Sequence, residues 1–264
     1  MEIKTAIVTG GTSGIGLAVA RLLSSQGVKV YCMSRRDTGE PGMTHVRADV
    51  TDPASVETAV RSIAAAEGRI DVVINCAGSG ISGAVEFTPP EEAKLQIDVN
   101  FFGTVNVNRA VIPYMRAAGK GRIVNISSVG APAALPFQAF YSASKAAINT
   151  YTCALANELK PFGIAACAVM PGDIKTGFTA ARRKNSAGDD IYGGRIGRSV
   201  AKMEHDEQNG MAPEKAASTI CRIARKKRVK PLYAIGFAYK AVCVLLKLLP
   251  CGLGNRVLGM MYAK

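Results

Sequence analysis

Only two histidines, His45 and His205, occur in 264 residues, and they lie far apart in the chain. A histidine-based metal centre or catalytic triad therefore has little material to draw on. Cysteine occurs seven times, but Cys32, Cys76, Cys153, Cys167, Cys221, Cys243 and Cys251 are scattered, odd in number and without a C-x-x-C pair. Neither a disulfide framework nor a zinc site follows from that spacing, and the thiols read as reduced, mostly small core residues. Metal-free chemistry is expected. No secretory leader is expected either, because residues 1–4 run straight into the apolar stretch 6–8 without a charged n-region or a cleavage site. The expectation is a cytoplasmic protein.

Acidic residues are absent from 222–264, which holds ten Lys or Arg. The whole chain carries a net charge of +13, so the preceding part, with 23 basic and 20 acidic residues, contributes only +3. A uniformly basic nucleic-acid binder is excluded; the charge belongs to a tail. Within that tail the stretch 232–249 is mostly apolar but is interrupted by Lys240 and Lys247, which would place charge in a bilayer centre. The reading is helical, either docked on the core or lying on a membrane surface, with peripheral membrane contact through 222–249.

The remaining composition, 48% hydrophobic and 20% charged, fits one large folded domain over 1–264. Short apolar runs at 4–8, 28–33, 70–74, 122–126 and 164–169 have strand length. Between them lie helical spacings such as Ile15, Ala18, Val19 and Leu22, then Val56, Val60 and Ile63, then Leu95, Val99 and Phe102. Asp52-Pro53 is an N-cap followed by proline at the first helical position. Strands that are apolar throughout, alternating with helices, predict an α/β fold with a parallel sheet buried on both faces. Residues 176–210 break the rhythm with glycine and arginine, and read as a substrate lid.

Between the first strand and the first helix stands Thr9-Gly10-Gly11-Thr12-Ser13-Gly14-Ile15-Gly16. Glycines there permit a tight turn, a close backbone approach to a pyrophosphate and helix-on-strand packing, with the helix N-terminus facing the phosphates. Further on, Tyr141 and Lys145 are four residues apart, which on a helix sets a phenol beside an ammonium.

With these motifs, Asn75-Cys76-Ala77-Gly78, Asn100 and Ile126-Ser127-Ser128 in this order, the chain resembles the short-chain dehydrogenase/reductase family over residues 3–178. The resemblance implies a Rossmann-type, doubly wound sheet of about seven parallel strands, a nicotinamide cofactor, and hydride transfer between an alcohol and a carbonyl. It makes Tyr141 the acid or base, with Lys145 lowering the phenol's pKa and holding the nicotinamide ribose. Ser128 would bond the substrate oxygen, with Ser127 as its rival, and Asn100 would hold a water linking Lys145 to solvent.

The resemblance also assigns a cofactor cleft. Gly10, Thr12, Ser13, Gly14, Ile15 and Gly16 would meet the phosphates, Asp49 and Val50 would flank the adenine, and Asn75, Ala77 and Gly78 would pass under its ribose. Pro171, Gly172, Ile174 and Thr176, in a P-G-x-x-x-T pattern, would meet the nicotinamide half. At the end of the second strand Ser34, Arg35 and Arg36 replace the acidic residue that would bind a bare 2′-hydroxyl, which predicts NADP(H). Cys76 departs from the family's usual second Asn.

The wall from Ala131 to Phe137, with Phe178, carries no charge and suits a bulky hydrophobic alcohol or ketone. Leu135-Pro136-Phe137, the lid and the tail resemble hydroxysteroid dehydrogenases of the 17β type. Arg182, Arg183, Lys184, Arg195 and Arg198 could instead receive an acidic carrier, as in a 3-oxoacyl thioester reductase. A third reading is a cofactor-binding membrane-surface protein without turnover. The family further implies a homodimer or homotetramer.

Overall fold

The computed structural model describes residues 1–263. Its elements are β1 (Thr5–Thr9), α1 (Gly14–Ser25), β2 (Lys29–Ser34), β3 (Thr44–Arg47), α2 (Pro53–Glu67), β4 (Val72–Asn75), β5 (Ile81–Ser82), α3 (Pro90–Ile97) and α4 (Gly103–Ala117). There follow β6 (Gly121–Ile126), α5 (Ala139–Leu159), β7 (Ile164–Pro171), α6 (Phe178–Ala181), β8 (Arg183–Lys184), α7 (Arg195–Gln208), α8 (Pro213–Arg225), β9 (Leu232–Ile235), α9 (Phe237–Leu248) and α10 (Cys251–Tyr262).

Seven strands form one parallel sheet in the order β3-β2-β1-β4-β6-β7-β9. The order reverses direction beside β1, and β1 and β4 end side by side at Thr9 and Asn75. In an open parallel sheet a crevice forms at that switch, beyond the carboxyl ends of the strands. Both faces are covered, which is why β1, β4 and β6 are buried along their whole length. On one face Val19, Leu23, Ala217 and Ile220 of α1 and α8 pack on the sheet; on the other Val60, Ile63, Val111, Met115 and Leu155 of α2, α4 and α5 do so.

Local chemistry sets the helix ends. Asp52 accepts a hydrogen bond from the Ala54 amide at 3.0 Å with Pro53 behind it, and α2 stops at Gly68, whose φ of 66° suits the left-handed turn. Between α3 and α4 the chain widens into a π-helical turn, Asp98–Phe102. That extra residue rotates the helix, so Gln96, Asn100 and Thr104 turn inward while Leu95 and Phe102 are exposed. The stripe of Leu95, Val99 and Phe102 expected to face the core therefore does not.

The tail also differs from its sequence reading. Leu232–Ile235 is not helical: it pairs in parallel with Ala168–Pro171 as the seventh strand, and the helix begins only at Phe237. No helix among the described residues is long and apolar enough to cross a membrane. The segment read as a lid folds into α6, β8 and α7, with β8 pairing in parallel with β5 to form a separate small sheet.

Candidate active site

Tyr141 and Lys145 lie one turn apart near the start of α5, and the Lys145 ammonium stands 5.8 Å from the centre of the Tyr141 ring. Lys145 is buried and its Nζ donates to the Ile126 carbonyl at 2.9 Å, where β6 ends. Burial lowers its pKa to about 8. Ser128 faces Tyr141 across Gly130, where a Cβ would meet Ser128 Oγ at 3.4 Å and the Tyr141 ring at 3.6 Å, and Ser128 Oγ accepts from the Gly130 amide at 3.0 Å. The rival serine is engaged elsewhere, since Ser127 Oγ donates to the backbone carbonyl of Lys145 at 3.0 Å. Ser128 thus faces the phenol, and Ser127 fastens strand to helix.

Contrary to expectation, the Tyr141 phenol is raised rather than lowered in pKa. Burial is the largest cause, and it outweighs the opposing effect of Ser128; Glu207 and Asp173 push the same way as burial, and Arg182 opposes them. The phenol therefore keeps its proton at neutral pH.

Asn100 sits within the π-helical turn and is completely buried. Its Oδ1 accepts from the Ser79 amide at 2.8 Å, while its Nδ2 donates to the Ser79 carbonyl at 3.1 Å and to Ser144 Oγ at 3.0 Å. Ser144 in turn donates to the Tyr141 carbonyl at 2.7 Å. The side chain of Asn100 thereby ties the loop after β4 to α5. Its oxygen and Lys145 Nζ both approach Gly78, within 3.3 and 3.7 Å of where a Cβ would lie.

The glycine loop fits a closely approaching dinucleotide. A Cβ on Gly16 would stand 2.3 Å from the Gly10 carbonyl oxygen, and Gly10, with φ of 63°, packs against the backbone of Ala77. Ser13 is the N-cap residue of α1, but its hydroxyl makes no capping bond. Thr176 lies across the loop against Gly14. Asp49 is held below the usual carboxylate range: burial acts against this, but bonds from the Thr51 amide and hydroxyl, with the charge of Arg35, prevail. Val50 is buried and its carbonyl accepts from Asn106, and Ile174 is buried beside Met211.

Arg35 and Arg36 are exposed at the end of β2. Ser34 is less free than expected, because its hydroxyl donates to the Arg36 carbonyl at 2.7 Å and lies 3.0 Å from His45 Nε2. Asn75 departs most clearly from its expected place under the adenine ribose. Its side chain turns into the core, where Nδ2 donates at 2.8 Å to both Asn108 and Asn125, and Asn125 continues the network to Thr152. The amide nitrogen finds both acceptors on α4 and β6, while the buried Oδ1 accepts no bond from the described residues.

In the segment expected to meet substrate, Phe178 of α6 lies 5.9 Å from the Tyr141 ring, and Arg182 stacks over Phe178 at 5.6 Å. Arg182 is buried and forms an ion pair with Glu207 of α7, which also accepts from Thr179 at 2.6 Å. Phe137 adopts a φ of 57°, a left-handed conformation costing about 1–3 kcal/mol. Its carbonyl accepts from Gly83 at 2.9 Å, and its ring meets Tyr192 of the lid at 5.8 Å, which holds the wall and lid together.

Three participants carried no readable signal in the sequence: Glu207, Tyr239 and Ser144. Tyr239 of α9 lies on Gly172 and donates a short hydrogen bond to Asp173. Of these, only Ser144 stands inside a motif already singled out, between Tyr141 and Lys145.

The family model described as short chain dehydrogenase matches residues 4–187. Over 247 residues the chain is 42% identical to a 3-ketodihydrosphingosine reductase of Bacteroides thetaiotaomicron, covering 90% of this chain and 92% of that protein. A short-chain dehydrogenase from Streptomyces avermitilis has a similar structure, with a TM-score of 0.81 and 29% identity over 91% of this chain and 90% of its own. ElxO with NADP bound matches with a TM-score of 0.75 and 25% identity, over 91% of this chain and 100% of its own.

Proposed function

From a chain that belongs to the short-chain dehydrogenase family, we propose an NADP(H)-dependent reductase that converts a lipophilic ketone into its secondary alcohol, with long-chain amino ketones of the 3-ketodihydrosphingosine kind as the favoured substrates. The observation that carries this reading is the juxtaposition of Ser128 and the Tyr141 ring beside Gly130 with Lys145 one helical turn on. Bound NADPH would supply the hydride. The chain's own residues then have separate tasks. Ser128 holds the carbonyl oxygen, where negative charge develops, and Tyr141 gives that oxygen its proton. The phenol carries its proton at neutral pH, the state from which reduction starts; burial makes it a weaker acid, which Ser128 and Arg182 partly offset. Lys145 holds the nicotinamide ribose hydroxyls, and Asn100 fixes the wall beside them and holds the water that connects Lys145 to solvent.

The exposed pair Arg35 and Arg36, following Ser34 where an acidic residue would otherwise end β2, supports a 2′-phosphate and hence NADP(H). For the substrate, the uncharged wall 131–137 suits a long alkyl chain. The 42% identity to a 3-ketodihydrosphingosine reductase favours a long-chain amino ketone over a steroid ketone, which becomes the second reading. The acyl-carrier reading loses support from the lid cations, since Arg182 pairs with Glu207, Arg183 with Glu92 and Lys184 with Glu204.

The test is NADPH consumption by purified protein offered 3-ketodihydrosphingosine, a steroid ketone or a 3-oxoacyl thioester. Turnover of the first above the others, abolished by Tyr141→Phe, is expected. Faster turnover of either alternative overturns the substrate class, and a Tyr141→Phe enzyme as active as wild type overturns the mechanism.

A further inference from the structure

The outward faces of α9 and α10 are apolar in a pattern that the protein's own core does not use. On α9, Phe237, Val244, Leu245 and Leu248 are exposed, Phe237 at 91% and Leu248 at 78%, and with Ala241 they recur at helical spacing along one face. The inward face of the same helix presents Tyr239, Cys243 and Leu246 to the body of the protein. On α10, Leu253, Val257, Met260 and Met261 are exposed at the same spacing, opposite the buried Gly254 and Leu258. A helix with apolar residues on both sides needs a second apolar partner.

Charge specifies that partner. Lys240, Lys247 and Arg256 each immediately precede a residue of the outward stripe, at Ala241, Leu248 and Val257. At 100° per residue this puts every cation on the same flank of its stripe, where a long side chain reaches the rim while its stem lies on apolar surface. No acidic residue lies in 222–264, and Arg225, Lys226, Lys227, Arg228 and Lys230 precede β9. Each helix has 12 residues, about 18 Å at 1.5 Å per residue, and lies along an interface rather than crossing it.

We propose that helices α9 and α10 dock the protein on an anionic lipid bilayer, with the stripes of Phe237–Leu248 and Leu253–Met261 in the acyl boundary and Lys240, Lys247 and Arg256 at the headgroups. The inward side of these helices packs on the segments expected to meet substrate. Tyr239 packs on Gly172 and bonds Asp173, and Tyr262 hydrogen-bonds Asp206 and lies 5.4 Å from Lys202 of α7, the helix that carries Glu207. Docking thus sets the bilayer behind the segments that wall the substrate pocket. The surface rests on the chemistry of the two helices themselves, so its failure leaves the ketone-reductase reading standing.

Full-length protein is pelleted with vesicles of phosphatidylcholine alone and of phosphatidylcholine with phosphatidylglycerol. Binding at least tenfold stronger to the anionic vesicles is expected, lost in about 1 M salt, where charges are screened beyond about 3 Å. Leu245→Asp/Leu248→Asp/Met260→Asp and Lys240→Gln/Lys247→Gln/Arg256→Gln should each weaken it tenfold or more, with far-ultraviolet circular dichroism and unfolding temperature retained. The glutamine variant keeps the test valid if the aspartate variant fails to fold. No vesicle binding by wild type, or binding insensitive to salt and to the glutamine variant, overturns the proposal. Wild type that ignores vesicles while the aspartate variant sediments as a smaller species assigns the surface to a second copy of the chain instead.

Discussion

Tyr239 lies so close to Gly172 that a Cβ on the glycine would stand 2.2 Å from its ring, and its hydroxyl is hydrogen-bonded to Asp173. The tail therefore closes over the loop that follows β7, at the carboxyl end of the sheet. Gly172→Ala is expected to destabilise the protein by about 1–3 kcal/mol through overpacking. The double variant Gly172→Ala/Tyr239→Ala should recover part of that loss, because the clash then has no partner. Urea denaturation of the wild type, both single variants and the double variant measures the coupling.

Tyr141→Phe removes the proton but leaves the ring against Phe178. Turnover should fall by about 10²–10⁴ while NADPH affinity, followed by fluorescence titration, stays within a factor of two or so. Lys145→Met should weaken both, because the same ammonium lies beside the phenol and near Gly78 in the cofactor cleft.

Burial of Lys145 also makes stability depend on pH. Its folded pKa, about 8, lies below its ordinary value of 10.5, so between those limits the unfolded chain binds more protons and stability rises with pH. Below pH 8 the full cost of about 3 kcal/mol applies, and by pH 10.5 it has vanished. Lys145→Met should accordingly be more stable than wild type at pH 7, with the gap narrowing from pH 8 upward. A gap that is constant across that window contradicts the assignment.

Ser34→Asp combined with Arg35→Ala replaces a cationic strand end with an acidic one. The KM for NADPH should rise about 10–100-fold, the cost of losing charged hydrogen bonds to a phosphate, while the KM for NADH falls or holds. Unchanged steady-state constants for both cofactors would remove the NADP(H) preference.

Arg182, buried and paired with the half-buried Glu207, supports Phe178 from behind. Glu207→Ala leaves a buried guanidinium without its counter-charge and should cost about 3–5 kcal/mol, whereas Arg182→Met/Glu207→Leu should cost much less. Thermal unfolding of the two variants distinguishes a pair held for its charge from one that apolar side chains can replace.

The residues that could be read from the chain alone share one property: their partners are near in sequence. Glycines from Gly10 to Gly16 specify a turn within a few residues, and Tyr141 with Lys145 are joined by one helical turn, so local geometry sufficed. Apolar runs likewise marked β1, β2, β4, β6 and β7, each buried by the layer above and below it. Where a side chain's environment comes from distant segments, the sequence was silent or misleading. Asn75 turns inward because Asn108 and Asn125 arrive from α4 and β6, and Leu232–Ile235 extends because an open strand edge at β7 offers its hydrogen bonds. Tyr239 reaches Asp173 across 66 positions, and Glu207 reaches Arg182 across 25. Even the Tyr141–Lys145 pair shows the division: its spacing came from the chain, but the raised phenol and the ammonium lowered to about 8 came from burial, which only the packed fold imposes.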